Sequence, residues 1–172
     1  MRFFSYLFPH IYVKNIKVIP YEKLKKKGIV NLIFDIDNTL VPHDMPQPPQ
    51  EIADFLKELK NRGFNLCFLS NNTEKRVRTF NEELNITAIA KARKPGLKGL
   101  NRGLDLIGAT YQNTAIIGDQ IFTDIWAGKR KGLVTILTKP VVPGDEFFVW
   151  IKRGVEQLIV KEFIRQSKRD LY

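Results

Sequence analysis

Short apolar segments alternate with helical patterns along most of the chain. Each apolar segment is rich in β-branched and aromatic residues and stops at polar or charged residues, which is typical of buried strands in a parallel sheet. We predict five strands, over residues 29–34, 64–69, 86–90, 114–117 and 133–137. The intervals carry apolar residues at helical spacing, so the sequence predicts an α/β fold with a mainly parallel sheet.

Two acidic residues, Asp35 and Asp37, directly follow the first predicted strand. The carboxyl ends of parallel strands line the ligand crevice of an open α/β sheet, and residues two apart on a strand point to the same side. Two close carboxylates repel each other unless one is protonated or a cation lies between them, and oxygen ligands suit Mg²⁺. A calcium-binding EF-hand loop is excluded, because Leu40 and Pro46 occupy the positions where it needs Gly and Glu. On this motif alone, a structural turn remains the alternative.

The second predicted strand ends in a hydroxyl and two amides, those of Ser70, Asn71 and Asn72. We expect Asn72 to cap the helix predicted over residues 73–84, because its side-chain oxygen can accept a hydrogen bond from a free main-chain N–H. Ser70 and Asn71 then face the crevice, where a hydroxyl and the amides of a helix start favour an anion.

The third and fourth strands add a cation and a second pair of acids at the same edge. Lys94 stands just before a predicted helix, and Asp119 and Asp124 follow Gly118. This ordered series of four strand ends resembles the haloacid dehalogenase (HAD) superfamily of phosphoryl-transfer enzymes. The resemblance covers roughly residues 30–138 and rests on the motifs Asp35-Ile36-Asp37-Asn38-Thr39, Ser70, Lys94 and Gly118-Asp119-Gln120-Ile121-Phe122-Thr123-Asp124.

The resemblance implies a HAD-like, Rossmann-like three-layer α/β/α sandwich and a role for each acid. Asp35 would be the nucleophile that forms an aspartyl-phosphate, and Asp37 would be the general acid and base. Mg²⁺ would be bound by Asp35, the main-chain carbonyl of Asp37, and Asp119. Asp124 and Thr39 would support these ligands.

The substrate phosphate would be bound by the remaining polar groups. Ser70 and the ammonium of Lys94 would neutralise charge on the phosphoryl oxygens, and Asn71 would assist them. Only 32 residues separate Asp37 from Ser70 and 23 separate Ser70 from Lys94, and loops, helices and strands fill both intervals. We therefore expect no cap domain and a site open on one side, which suits a phosphate carried by a large substrate.

The chain has 172 residues, enough for one compact domain with a core and too few for two. Its net charge of +10 is concentrated near the start, where residues 1–30 hold seven Lys or Arg against one acid. We divide it into a basic, partly apolar N-terminal arm (1–28), a catalytic core (29–140) and a C-terminal amphipathic basic helix on the core (141–172). The single cysteine, Cys67, excludes an internal disulfide and agrees with a reducing, cytoplasmic compartment.

Both ends of the chain combine apolar and basic residues. The arm carries an apolar stripe at helical spacing, formed by Phe3, Phe4, Leu7, Phe8 and Ile11. We predict a C-terminal helix over residues 146–169, with one apolar side formed by Phe148, Ile151, Val155, Leu158, Ile159 and Phe163. Either end can pack on the core or dock on an anionic membrane surface, and both interpretations stay open. Charged residues interrupt the apolar stretch within residues 1–20. The sequence therefore predicts neither a signal peptide nor a membrane-spanning segment there.

At finer scale the chain resembles the capless YqeG-like branch of HAD subfamily IIIA, related to mitochondrial phosphatidylglycerophosphate phosphatases. Besides the four motifs, the supporting segments are Val13-Lys14-Asn15-Ile16 and Ala92-Arg93-Lys94-Pro95. The resemblance implies Mg²⁺-dependent hydrolysis of phosphatidylglycerophosphate by a peripheral protein on the cytoplasmic face of a membrane.

Two other functions stay open at this stage. One is a soluble phosphatase for a sugar phosphate or a nucleotide. The other is a non-catalytic protein that binds RNA or the ribosome, which the charge of +10 allows. Nucleic acid is disfavoured as a partner, because no sheet face carries interleaved aromatic and basic residues and the excess charge lies in the arm.

Overall fold

A parallel sheet of six strands forms the centre of the protein. The structure is a computed structural model that describes residues 5–142 and 147–169, with the side chains of the second segment described from 154 to 167. The strands are β1 (Ile11–Val13), β2 (Asn31–Phe34), β3 (Asn65–Leu69), β4 (Thr87–Ile89), β5 (Thr114–Gly118) and β6 (Val134–Thr138), in the spatial order β1-β6-β5-β2-β3-β4. Because β2 lies between β3 and β5, its carboxyl end is at the middle of the sheet edge.

Helices cover both faces of the sheet, which confirms the predicted three-layer α/β/α sandwich. They are α1 (Tyr21–Lys26), α2 (Gln50–Asn61), α3 (Glu74–Asn81), α4 (Leu97–Leu106), α5 (Trp126–Lys131) and α6 (Phe147–Arg169). Apolar residues of α1, α2 and α3 pack on one face with Phe34 and Phe68, whereas those of α4 and α5 pack on the other with Ile33 and Cys67. Successive strand residues thus serve opposite layers, as the alternation of a strand requires.

The sheet has one strand more than the predicted five, and this strand comes from the predicted arm. β1 pairs in parallel with β6, so that Ile11 lies opposite Ile136. The predicted helical stripe is wrong at Ile11, because the flanking His10 and Val13 are hydrogen-bonded to the β6 segment through Thr135 and Lys139. Three half-buried residues make too short a run to be distinguished by pattern from a helix or a loop. Two members of the predicted stripe, Phe3 and Phe4, lie outside the described residues.

The arm contributes further buried side chains after β1. Ile16, Ile19, Tyr21 and Leu24 are all less than 5% exposed and join the cluster of α2 and α3. The hydroxyl of Tyr21 donates a hydrogen bond to the main-chain oxygen of Ile16 at 2.9 Å. Residues 11–24 therefore pack on the sheet as part of the same core.

No further domain is inserted near the carboxyl end of β2. Residues 38–93, all of them described, contain only a loop, α2, β3, α3 and β4. Within the described part of the chain, no helix combines the length and apolar character needed to cross a membrane.

Helix α6 packs on the core through a small apolar cluster. Ile159 is only 2% exposed and packs with Ile121 and Ile125. The ring of Phe163 meets the ring of Phe8 edge to face, with 5.7 Å between the centroids. Among the predicted features of this segment, Glu146 and the side chains of Phe148 and Ile151 lie outside the described residues.

The predicted apolar side of α6 is wrong at two of its positions. Leu158 is 65% exposed and Val155 is 39% exposed, whereas the neighbouring Glu156 is only 6% exposed. Helical periodicity favours burying the apolar residues, but the helix is rotated so that a carboxylate faces the core instead. The contacts of Glu156, described below, give the physical reason.

Candidate active site

The four strand ends named from the sequence converge on one cavity at the carboxyl edge of the sheet. The cavity has a volume of about 350 Å³ and is lined by Asp35, Asp37, Ser70, Asn71, Asn72, Lys94, Gln120, Thr123 and Asp124. A larger groove of about 740 Å³ lies beside α1 and α2, where Lys17 pairs with Glu51 and Arg62 pairs with Glu22, and none of its lining residues is among those of the cavity.

Lys94 is the electrostatic centre of the cavity. Its Nζ lies 2.6 Å from Oδ1 of Asp35 and 2.7 Å from Oδ1 of Asp124, and it donates a third hydrogen bond of 2.6 Å to the main-chain oxygen of Leu69. Burial opposes the charge on this ammonium, but the carboxylates of Asp124 and Asp35 outweigh burial and raise the pKa of Lys94. Lys94 is therefore a fixed, dehydrated positive charge beside the predicted nucleophile.

Three buried carboxylates lie close together, and two of them, Asp35 and Asp124, contact Lys94; we call the three the acid cluster: Asp35, Asp119 and Asp124. One oxygen of each lies within 4.8 Å of the others. The hydroxyl of Thr39 is 3.2 Å from Oδ2 of Asp35 and 3.4 Å from Oδ1 of Asp119, so it links the two acids.

The carboxylates of the acid cluster are buried close to one another. Burial raises the pKa of Asp35 to about 7, against the lowering effect of Lys94 and with the further raising effects of Asp124 and Asp119. A divalent cation would offset the repulsion between these carboxylates, and carboxylate oxygens with a neighbouring hydroxyl are the donors that Mg²⁺ prefers. The residues present therefore fit the predicted magnesium ion.

Asp124, for which a supporting role is predicted, contacts Lys94 directly. Besides its ion pair with Lys94, its Oδ2 accepts hydrogen bonds from the main-chain N–H of Gln120 at 3.2 Å and from the hydroxyl of Thr123 at 3.3 Å. A Cβ at Gly118 would lie 2.3 Å from Cγ of Asp124, so only glycine allows this approach.

Asp37 occupies the more open side of the cavity and is held by residues of α3 and the loop before it. Arg76 contacts its Oδ1 through Nε at 3.1 Å and through a terminal nitrogen at 3.0 Å. Oδ2 accepts from the side-chain amide of Asn72 at 3.2 Å and lies 3.5 Å from Oγ of Ser70. Asn38, at φ 63°, turns the chain away directly after Asp37.

The sequence reasoning missed Arg76. This residue lies in the first turn of α3, whose start faces the site, and its guanidinium also donates to the main-chain oxygen of Pro46 at 2.9 Å. The sequence did contain one indication that Arg76 lies near the site: it stands in the first turn of a helix that begins close to a strand end. Its target among several acids depends on the tertiary structure, which the sequence pattern does not contain.

The expected cap of α3 is wrong. Thr73, and not Asn72, caps this helix, because its side-chain oxygen accepts from the N–H of Arg76 at 3.3 Å. This leaves the amide nitrogen of Asn72 for Asp37, while its oxygen accepts from the N–H of Thr73 at 2.7 Å.

Ser70 and Asn71 both line the cavity, and both have hydrogen-bond partners. Oγ of Ser70 accepts from the N–H of Asn72 at 3.1 Å. The amide of Asn71 bridges to the main chain of Lys94, accepting from its N–H at 2.7 Å and donating to its oxygen at 3.0 Å. Asn71 thus ties the loop after β4 to the loop after β3.

Comparison with known proteins gives one family and several relatives. A family model described as mitochondrial PGP phosphatase matches residues 1–142. The chain is 38% identical over 163 residues to the "Probable phosphatase YqeG" of Bacillus subtilis (strain 168), with 95% of each chain covered. It is 28% identical over 175 residues to phosphatidylglycerophosphate phosphatase 1, chloroplastic/mitochondrial, of Arabidopsis thaliana, covering 95% of this chain and 50% of that protein.

Solved structures share the fold at low sequence identity. A protein described as a HAD superfamily (subfamily III A) hydrolase from Legionella pneumophila superimposes with a TM-score of 0.51 at 20% identity, covering 77% of this chain and 75% of that one. The cobalt-bound deoxy-D-mannose-octulosonate 8-phosphate phosphatase of Haemophilus influenzae gives 0.51 at 16% identity, covering 80% and 90%. These structures support the HAD-like fold.

Proposed function

Because the chain belongs to the mitochondrial PGP phosphatase family, we propose that it removes the terminal phosphate of phosphatidylglycerophosphate through an aspartyl-phosphate on Asp35. The protein is a HAD-type phosphatase, so the proposal concerns its intermediate, its metal and its substrate. The observation that carries it is that the Asp35 carboxylate lies beside two other buried acids, Asp119 and Asp124, and contacts the ammonium of Lys94.

The first step is the transfer of the phosphoryl group to Asp35. A carboxylate oxygen attacks phosphorus, a new P–O bond forms, and the P–O bond to the leaving oxygen breaks. Asp37 gives its proton to that oxygen, so phosphatidylglycerol leaves with a neutral terminal hydroxyl in place of the phosphate ester. Lys94 and the hydroxyl of Ser70 offset the charge on the phosphoryl oxygens.

The second step releases phosphate. Asp37 takes a proton from water, the water oxygen attacks phosphorus, and the bond to Asp35 breaks to leave inorganic phosphate and a free carboxylate. The hydrogen bonds from Arg76 and Asn72 hold the Asp37 carboxylate in one orientation for this role.

Mg²⁺ is the proposed cofactor. Asp35, Asp119 and the main-chain carbonyl of Asp37 would hold it, with Asp124 and Thr39 supporting them. When bound, Mg²⁺ supplies the positive charge that lets an anionic carboxylate approach an anionic phosphate. The support for this assignment is that one oxygen from each of three buried carboxylates lies within 4.8 Å of the others.

The lipid substrate is supported by two observations. The Arabidopsis relative is named a phosphatidylglycerophosphate phosphatase, and no domain is inserted over the site in residues 38–93. An uncovered site can accept a headgroup that is still held by its bilayer. The net charge of +10 favours an anionic membrane surface, on which the protein would act as a peripheral protein. Membership in a phosphatase family leaves the non-catalytic RNA-binding alternative without support.

Phosphate release from phosphatidylglycerophosphate in anionic vesicles, with Mg²⁺ and with a chelator, tests the proposal. We expect Mg²⁺-dependent release by the parent protein and none by Asp35→Asn, together with flotation of the parent with the vesicles. Strong activity on sugar phosphates or nucleotides with none on the lipid would favour the soluble alternative. Activity that survives Asp35→Asn would contradict the proposed intermediate.

A further inference from the structure

A buried carboxylate on α6 contacts the segment that carries two members of the acid cluster. Glu156 is 6% exposed, although a glutamate on a surface helix is normally solvated. Burying a carboxylate is costly unless hydrogen bonds compensate for the lost water, so its partners explain the rotation of α6. The residue also lies beyond residues 1–142, which the family model matches.

Two of those partners are main-chain N–H groups at the start of a helix. Oε1 of Glu156 accepts from the N–H of Ile121 at 2.9 Å and from the N–H of Phe122 at 3.2 Å. These two residues begin a π-helical turn, Ile121–Ile125, that continues into α5. The first N–H groups of a helix have no partner within it, and a carboxylate is their most favourable acceptor.

The same turn is held from its other side by Asp124. Its Oδ2 accepts from the N–H of Gln120 at 3.2 Å, while its Oδ1 pairs with Lys94 at 2.7 Å. Three successive N–H groups, those of residues 120, 121 and 122, are therefore bound by two carboxylates, and Asp119 lies immediately before them.

We propose that Glu156 is a positioning residue: it fixes the segment from Asp119 to Asp124 so that Asp119 presents its carboxylate to Mg²⁺ while Asp124 supports the site through its ion pair with Lys94. The proposal rests on the proposed function, because it assumes that the acid cluster binds the metal. Ile159, one turn further along α6, anchors the helix by packing on Ile121 and Ile125. α6 is thus part of the metal site although it contributes no ligand.

The test measures Mg²⁺ affinity in purified full-length variants by two independent readouts. They are the Mg²⁺ concentration for half-maximal phosphate release and the rise of the thermal unfolding midpoint with Mg²⁺. Glu156→Ala removes the hydrogen bonds to the N–H groups of Ile121 and Phe122, and Glu156→Asp keeps the charge but withdraws it by one methylene. For both we expect the half-saturating Mg²⁺ concentration to rise by about tenfold or more, the usual cost of losing a group that orients a metal ligand.

Two further variants complete the design. Glu156→Gln keeps an oxygen acceptor at the same place, and we expect it to stay within about threefold of the parent, since a neutral acceptor retains part of each hydrogen bond. Glu162→Gln makes the same change on the same helix, where Glu162 contacts Arg165 and Gln166, and should leave Mg²⁺ affinity unchanged.

The outcomes separate this inference from the proposed function. If the parent responds to Mg²⁺ and Glu156→Asp responds at the same concentration, Glu156 only stabilises the fold and the inference is wrong. If the parent responds to Mg²⁺ in neither readout, the proposed metal site fails, and the inference fails with it. Should Glu156→Ala not fold, the comparison of Glu156→Asp with Glu156→Gln decides between the two roles.

Discussion

Asp35 and Asp37 are separated by one residue, yet their surroundings differ sharply. Asp35 faces Lys94, whose side chain is only 2% exposed, whereas Asp37 faces Arg76, whose side chain is 12% exposed. The first pair is closed in among other buried acids, and the second lies toward the opening of the cavity. The difference matches the proposed roles, because a nucleophile benefits from fixed, dehydrated charges and a proton donor must exchange protons.

Replacing Lys94 with methionine should give the largest effect on this contrast. Without its ammonium, Asp35 and Asp124 are buried next to each other with no cation, which costs about 3–5 kcal/mol of unfolding free energy. We also expect phosphatase activity to be lost. Chemical denaturation in a chelator measures the first effect, and phosphate release with Mg²⁺ measures the second.

Arg76→Met is the matched control, since it removes a cation from the other carboxylate with a similar side chain. Asp37 is more exposed, so we expect a loss of only about 1 kcal/mol of unfolding free energy. Equal losses of stability in the two variants would contradict the division of the site into a buried and an open side.

The pH dependence of Mg²⁺ binding should sharpen the same contrast. The pKa of Asp35 is raised by burial from 3.8 to about 7, so the folded protein binds more protons there than the unfolded chain does. The resulting contribution to stability is present below about pH 4 and is lost as the pH rises to about 7. Mg²⁺ competes with that proton, so its affinity should fall by about tenfold per pH unit below about pH 7.

The shift of the thermal midpoint by Mg²⁺, measured at about pH 6 and about pH 8, checks this expectation, since the two values bracket the raised pKa. Asp35→Asn cannot titrate at this position and should lose the pH dependence along with most of the Mg²⁺ response. A midpoint shift in the parent that is the same at both pH values would show that Asp35 is not the group that competes with the metal.

Replacing Arg76 with methionine should affect turnover more than stability, and the size of the effect should depend on the leaving group. Misplacing Asp37 slows proton transfer, so we expect about a 100-fold loss for an alkyl phosphate. The loss should be smaller for p-nitrophenyl phosphate, whose leaving group needs no proton. In the Asp37→Asn background, the Arg76 substitution should cause little further loss, since Arg76 acts through Asp37. An equal loss on both esters would assign Arg76 a role in binding phosphate instead.

The convergence of the site was predictable from the sequence, and the reason is topological. Strand periodicity located Asp35 and Asp119, and the carboxyl ends of parallel strands share one edge whatever the details of packing. Lys94 followed from the same rule, because it precedes a helix that begins at that edge. This prediction required no knowledge of the metal or of the residues that contact the site.

The partners themselves were not predictable, because each depends on how a long side chain is oriented in three dimensions. Arg76 contacts Asp37, which lies 39 residues away in the sequence, and Glu156 contacts Ile121, which lies 35 residues away. For α6, periodicity favoured Leu158 as the buried residue, but Glu156 is buried instead. Its carboxylate accepts hydrogen bonds from two main-chain N–H groups, which sequence periodicity does not reveal. β1 was missed for another reason, namely that a strand of three residues has no measurable period.

Asn71 should give the smallest effect, and it tests whether this residue belongs to the substrate or to Lys94. Both polar atoms of its amide are bonded to the main chain of Lys94, at 2.7 Å and 3.0 Å. If this is its role, Asn71→Ala should lower the unfolding free energy by about 1–2 kcal/mol and reduce kcat a few-fold, with KM unchanged. Asn71→Asp, which keeps the acceptor for the N–H of Lys94, should recover part of the stability. A raised KM with unchanged stability would instead assign the amide to phosphate binding. In that case the donor lost in Asn71→Ala, or the negative charge added in Asn71→Asp, would weaken substrate binding without affecting the fold.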